Sequence, residues 1–237
     1  MHLDATAHWD VDDGPATVGP IRRLVSTDVL YRQISSGTPC WITTADGDRH
    51  RLPIERWLGG AASTHEDRVA DETLLGLCRG PTVDLGCGPG RFTAGLAARG
   101  VPSLGIDVSA TAVEMTVQRG GKAVHGDVFE TPEPYGDWAH VLLADGNIGI
   151  GGNPRRMLAR ARQLLAPHGT VVAEVEADNS GVHHERRRWE THHSVTGWFS
   201  WSRVGADAVH ALAAAAGFAV TSRDDVSGRH LVTLSVA

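Results

Sequence analysis

The chain has 237 residues, 41% of them hydrophobic, and a formal charge of −6. That length holds one large α/β domain, or one ordinary domain with an appendage. The acidic balance argues against a nucleic-acid backbone as the main partner. Cys40, Cys78 and Cys87 include no CxxC pair and no zinc-like Cys/His spacing, which excludes a disulfide scaffold and suits a reduced, cytoplasmic protein. The polar start Met1-His2-Leu3-Asp4 lacks a signal-peptide pattern, and no apolar run is long enough to span a bilayer.

Residues 1–62 are rich in Gly, Pro, Asp and Thr, with weak helical periodicity. They predict an N-terminal appendage with one hairpin, strand 38–44 and strand 50–52 around the turn Asp46-Gly47. A helix is expected from Ser63, where Ser63 and Glu66 have capping-box spacing, to the stop at Gly80-Pro81. From residue 82 onward, strands and helices alternate. Strands are expected at 82–85, 103–107, 123–126, 139–144 and 170–175. Helices are expected at 91–99, at 109–119 with Ser109 as N-cap, from Asn153-Pro154 to 166, and at 204–216. Strands 219–225 and 229–236 are joined only by Ser227-Gly228, too short for a crossover, so they pair antiparallel. The pattern predicts an α/β fold: a seven-stranded, mostly parallel sheet, helices on both faces, and a C-terminal antiparallel strand pair.

The chemistry-bearing stretch is Asp84-Leu85-Gly86-Cys87-Gly88-Pro89-Gly90, at the mouth of the strand 82–85. A backbone without Cβ atoms admits a ligand closely, and the helix that follows offers free N–H groups. The dinucleotide pattern G-x-G-x-x-G is not met, because Arg91 stands where its last glycine would be, and no P-loop Gly-Lys-Ser/Thr follows. What remains, an acidic residue followed by G-x-G-x-G, resembles the first motif of the class I S-adenosylmethionine-dependent methyltransferases. The resemblance covers residues 63–237.

It implies S-adenosyl-L-methionine as cofactor, with Asp84, Gly86, Cys87, Gly88 and Gly90 in its site. Three later stretches match in order. In Gly105-Ile106-Asp107-Val108-Ser109, Asp107 matches the family's ribose-binding carboxylate, with Val108 beside it. In His125-Gly126-Asp127-Val128, Asp127 and the Val128 N–H match the adenine-binding positions. In the stretch from Val141 to Gly149, Asp145 and Asn147 fall on the loop that runs under the methionine and borders the substrate. Asp145 with Asp178-Asn179 is similar to the magnesium set of catechol-type O-methyltransferases, but the second pair lies beyond the expected strand end, and no metal is expected.

The reaction implied is methyl transfer to a small-molecule acceptor, with oxygen or nitrogen ahead of carbon. The insertion 177–203 is expected to form a substrate lid. Its Trp198, Phe199 and Trp201 are candidate substrate contacts, and His184 and His193 are weak candidates for a base. Its run Arg186-Arg187-Arg188 reads as a solvated helix face. The alternatives are a nicotinamide-dependent oxidoreductase and a methyltransferase fold used only for binding. Neither a membrane nor a nucleic acid is expected as partner.

Overall fold

The computed structural model describes residues 22–130, 137–177 and 180–237. The chain begins with β1 (Arg23–Leu24), α1 (Thr27–Ser35), β2 (Trp41–Thr44), β3 (Arg49–Arg51) and α2 (Ile54–Leu58). Then come α3 (His65–Leu77), β4 (Thr82–Leu85), α4 (Arg91–Ala98), β5 (Ser103–Asp107), α5 (Ala110–Gln118), β6 (Ala123–His125) and β7 (Trp138–Leu143). The rest is α6 (Pro154–Leu164), β8 (Leu165–Val175), β9 (Val182–Glu190), β10 (Ser194–Val195), β11 (Phe199–Val204), α7 (Val209–Ala215), β12 (Phe218–Val226) and β13 (Arg229–Val236). Among the described residues no helix is long and apolar enough to cross a membrane.

The main sheet has seven strands in the order β12-β13-β8-β7-β4-β5-β6. It is parallel from β6 to β8, and β13 runs antiparallel to both β8 and β12, as the two-residue connection requires. Side-chain alternation feeds two cores. Val141 and Leu143 of β7 face α6 and α7 with Met157, Leu158, Val209 and Ala213. Leu142 and Ala144 face α3 and α4 with Leu74, Phe92 and Leu96. From β4 the chain builds outward to β5 and β6, then returns to build β7 and β8 on the other side. Strand order therefore reverses at β4, where open α/β sheets form their ligand crevice.

The appendage and the insertion join in a second sheet, β1-β10-β9-β2-β3, with β11 paired to β9. Here the structure departs from the sequence expectation. The arginine run lies on a strand, not a helix face: β9 takes β2 on one edge and β11 on the other. Val204 ends β11, so the following helix starts at Val209. Helix α1 was not expected; Leu30, Tyr31 and Ile34 form its buried stripe. The capping box forms one residue later than expected, with Thr64 accepting from the Asp67 N–H and Asp67 accepting in return. Ser63 instead donates to the Glu55 carbonyl (3.4 Å). The hairpin of β2 and β3 is as expected.

Candidate active site

The glycine loop leaves β4 at the switch point. The N–H groups of Gly86 and Cys87 both donate to the Ile106 carbonyl of the neighbouring strand (2.8 and 3.1 Å), and the Gly90 N–H closes a turn on Cys87 (3.0 Å). All three glycines have positive φ, but for different surroundings. A Cβ at Gly86 would stand 2.8 Å from both Asn147 Nδ2 and Ile150 Cδ1, and one at Gly90 would stand 2.5 Å from Thr116 Oγ1. A Cβ at Gly88 would meet only the Tyr31 hydroxyl, at 3.5 Å. Two glycines thus admit protein side chains, and Gly88 alone presents bare backbone to the crevice.

Asp107, at the end of β5, fixes that backbone. It accepts from the Gly88 N–H through Oδ2 and from the Ser109 N–H through Oδ1, both at 2.9 Å. Burial pushes its pKa up, and those two N–H groups oppose the shift. Each carboxylate oxygen keeps a second lone pair, so two hydroxyl donors fit. Val108 beside it is 67% exposed, unusual for a large apolar residue at a strand end. Asp127 lies next along this edge, where the Gly126 N–H donates to the Asp107 carbonyl (2.9 Å). Its carboxylate is exposed and accepts from the Phe129 N–H (2.8 Å). Val128 is buried, its carbonyl accepting from Arg160 Nε (2.9 Å).

Helix α1 closes the crevice from above. Asp28 accepts from the Ser109 hydroxyl (2.6 Å) and the Thr111 N–H (3.1 Å), pinning α1 to the start of α5. This places Tyr31 over the loop. Tyr31 is 6% exposed, and no hydrogen bond to its hydroxyl forms among the described residues. Burial, then the charges of Asp107, Cys87 and Asp145, push its pKa well above 10, so the phenol stays protonated. Between α1, α2 and the loop, among Tyr31, Trp57, Pro89 and Met115, no space as large as a water molecule is left, so α1 and α2 lie closed on the loop.

The remaining predicted residues have other neighbours. Asp84 is buried beneath the loop, accepting from the Thr93 hydroxyl (2.8 Å). The Cys87 thiol is turned inward, 3.8 Å from Thr116 Oγ1, and burial raises its pKa. Asp145 joins an ion network with Arg91 (2.5 Å), which also binds Asp71 (2.6 Å). Arg229 binds Asp71 and Glu174 (2.6 Å each). Burial alone would raise the Asp145 pKa, but Arg91 and Arg229 hold it low. Asn147 donates to the carbonyls of Leu85 and Gly86 (2.9 Å each), bracing the loop.

In the second sheet, register sets the faces. Glu185, Arg187 and Trp189 share the inner face with Phe199, Trp201 and Ile42. Phe199 and Trp201 therefore belong with Trp189, which touches Tyr31 (5.4 Å between rings) and Trp57 (5.5 Å). Trp198 is exposed under Arg188. His184 is on the outer face, bonded to Ser202 Oγ (2.7 Å) and the Gly152 carbonyl (3.0 Å). His193 is exposed beside β1. Neither histidine stands at the glycine loop. Asp178 and Asn179 lie outside the described residues, among which no group of His, Cys, Asp or Glu is placed to hold a metal. Sequence reasoning missed Tyr31, Trp57 and Trp189. The signal for Tyr31 was present in Leu30, Tyr31 and Ile34, which fall on one side of a helix.

A family model described as a methyltransferase domain matches residues 68–223. The chain belongs to this methyltransferase family. The family's methyl donor is S-adenosylmethionine, so the oxidoreductase alternative falls. Among curated relatives, the trans-aconitate 2-methyltransferase of Paracidovorax citrulli is 31% identical over 111 residues, 45% of this chain. The match spans 42% of that relative's length. Among solved structures, a methyltransferase from Bacteroides fragilis in complex with S-adenosyl-L-homocysteine superposes with a TM-score of 0.72 at 19% identity, covering 90% of this methyltransferase and 98% of that chain. The Burkholderia thailandensis 1,6-didemethyltoxoflavin-N1-methyltransferase gives 0.57 at 18% identity, covering 92% and 94%. At these identities the superpositions speak for the fold.

Proposed function

We propose that this methyltransferase binds S-adenosyl-L-methionine in the crevice over Gly88 and transfers its methyl group to a small-molecule oxygen or nitrogen. The observation that carries this is the Gly88 backbone, hung on Asp107 and faced by the Tyr31 hydroxyl. In this reading Asp107 holds the ribose diol, Val108 and Asp127 border the adenine, and the ion network around Asp145 closes the methionine end. The cofactor supplies a methyl group already activated as a sulfonium. The protein's task is then positioning and exclusion of water. Protonated Tyr31 orients by donating a hydrogen bond and is not a base.

The domain division follows. Residues 63–237 form the cofactor-binding unit. The described part of 1–62, with the insertion 177–203, forms a cap whose inner aromatic face contacts the acceptor. The small-molecule assignment is supported by relatives whose names specify trans-aconitate and 1,6-didemethyltoxoflavin. Calorimetric titration with S-adenosylhomocysteine tests the reading, with saturable binding expected. No heat at high micromolar ligand would reject it.

A further inference from the structure

The inner face of the cap sheet carries a guanidinium with spare donors. Arg187 lies on β9 opposite Phe199 of β11, and its guanidinium carbon is 5.1 Å from the centre of the Trp201 ring. Its side chain is 16% exposed. Its Nε donates to Glu185, on the same face. Among the described residues its two terminal nitrogens make no hydrogen bond to protein. Arg203, on the same face, differs: Glu176 takes both its Nε and one terminal nitrogen. Burial draws the Arg187 pKa down, with Glu185 opposing. The side chain keeps some exposure, and the planar fork of its terminal N–H groups has the geometry to pair with a carboxylate.

The face looks into the crevice. Trp189, two residues along β9, touches Tyr31, whose hydroxyl stands over Gly88. Trp201 bridges through its backbone to Ile150, whose side chain packs against Gly86. Arg187 therefore sits between aromatic rings at the mouth of the site where the acceptor must enter.

We propose that the acceptor of this methyltransferase carries a carboxylate, received by the terminal N–H groups of Arg187, with its apolar body against Phe199 and Trp201. Glu185 holds the guanidinium in place. This rests on the crevice being the cofactor site.

The test uses the full chain saturated with S-adenosylhomocysteine. Trans-aconitate, benzoate and cinnamate are titrated by calorimetry, each against its primary amide. Wild-type protein is expected to bind at least one carboxylate about tenfold more tightly than its amide, as a charge-assisted paired contact requires. Arg187→Gln should abolish that preference while leaving the S-adenosylhomocysteine affinity unchanged, and Arg187→Lys should restore part of it. Equal affinities for acid and amide in the wild type, no binding by any carboxylate, or a preference that survives in R187Q overturns the proposal. Failure of S-adenosylhomocysteine itself to bind rejects the cofactor site instead, so the two failures are told apart.

Discussion

Asp84 offers a quantitative test of how the glycine loop is supported. It is 2% exposed, in the middle of the sheet, with the Thr93 hydroxyl as its hydrogen-bond donor. Burial pushes its pKa from 3.8 up to about 7, with the charges of Asp145 and Asp107 adding and the Thr93 bond and Arg91 opposing. The folded state therefore holds this proton more tightly than the unfolded chain does. Such an acid contributes most stability below both pKa values, and that contribution is lost as pH rises from about 4 through about 7. At 1.36 kcal/mol per unit, the loss between roughly pH 5 and pH 8 is about 2–3 kcal/mol. Asp84→Asn removes the titration and keeps the shape. Any fixed cost of the amide is the same at every pH, so the change in the difference between the two proteins isolates the carboxyl. Urea unfolding at several pH values should show the Asp84→Asn protein gaining about 2–3 kcal/mol on wild type across this window. Parallel stability curves would refute a buried, proton-holding Asp84.

Three further outcomes follow from the same geometry. Arg229→Met removes the partner of Glu174 and one of the two partners of Asp71, leaving charge buried without compensation. A loss of about 3–5 kcal/mol is expected by denaturant unfolding, and a loss under about 1 kcal/mol would show that the network relaxes instead. Asp107→Ala removes the acceptor for both the Gly88 and Ser109 N–H groups, each bond being worth about 1.5–3 kcal/mol. Its S-adenosylhomocysteine dissociation constant should rise at least tenfold by calorimetry, and an unchanged constant would contradict the ribose assignment. Tyr31→Phe keeps the ring contact with Trp189 and deletes a hydroxyl that makes no hydrogen bond among the described residues. Its melting temperature should stay near that of wild type while cofactor affinity falls several-fold, and the reverse pattern would make Tyr31 a packing residue.

The glycine loop and the elements around it were legible because their signals are local. The glycine loop, Asp107 and the N-caps Ser109 and Asn153 each combine a residue type with the few positions around it, and the caps bond as their spacing predicts. The capping box slipped by one because Ser63 and Thr64 are both good caps with an acid three residues on. Asp67 also reaches Arg56 (2.6 Å), a contact outside the local window, and so completes the Thr64 box. The loop glycines were legible as a motif but not by role. Nothing in the spacing says that Gly86 and Gly90 make room for Asn147 and Thr116 while Gly88 faces the crevice.

Strand β9 was not legible. The run from Glu185 to Trp189 has no apolar alternation to mark a strand, because its inner face carries Glu185 and Arg187 beside Trp189. It is a strand only because β2, some 140 residues earlier, supplies one edge and β11 the other. Strand propensity is largely the fit of side chains to such neighbours. The stability of this second sheet therefore rests on pairing between a segment that precedes the main sheet in sequence and an insertion between two of its strands. That arrangement leaves its inner-face side chains free of the requirements of the main core. On the proposed reading, the residues that look least like a folded element are those that distinguish one acceptor from another.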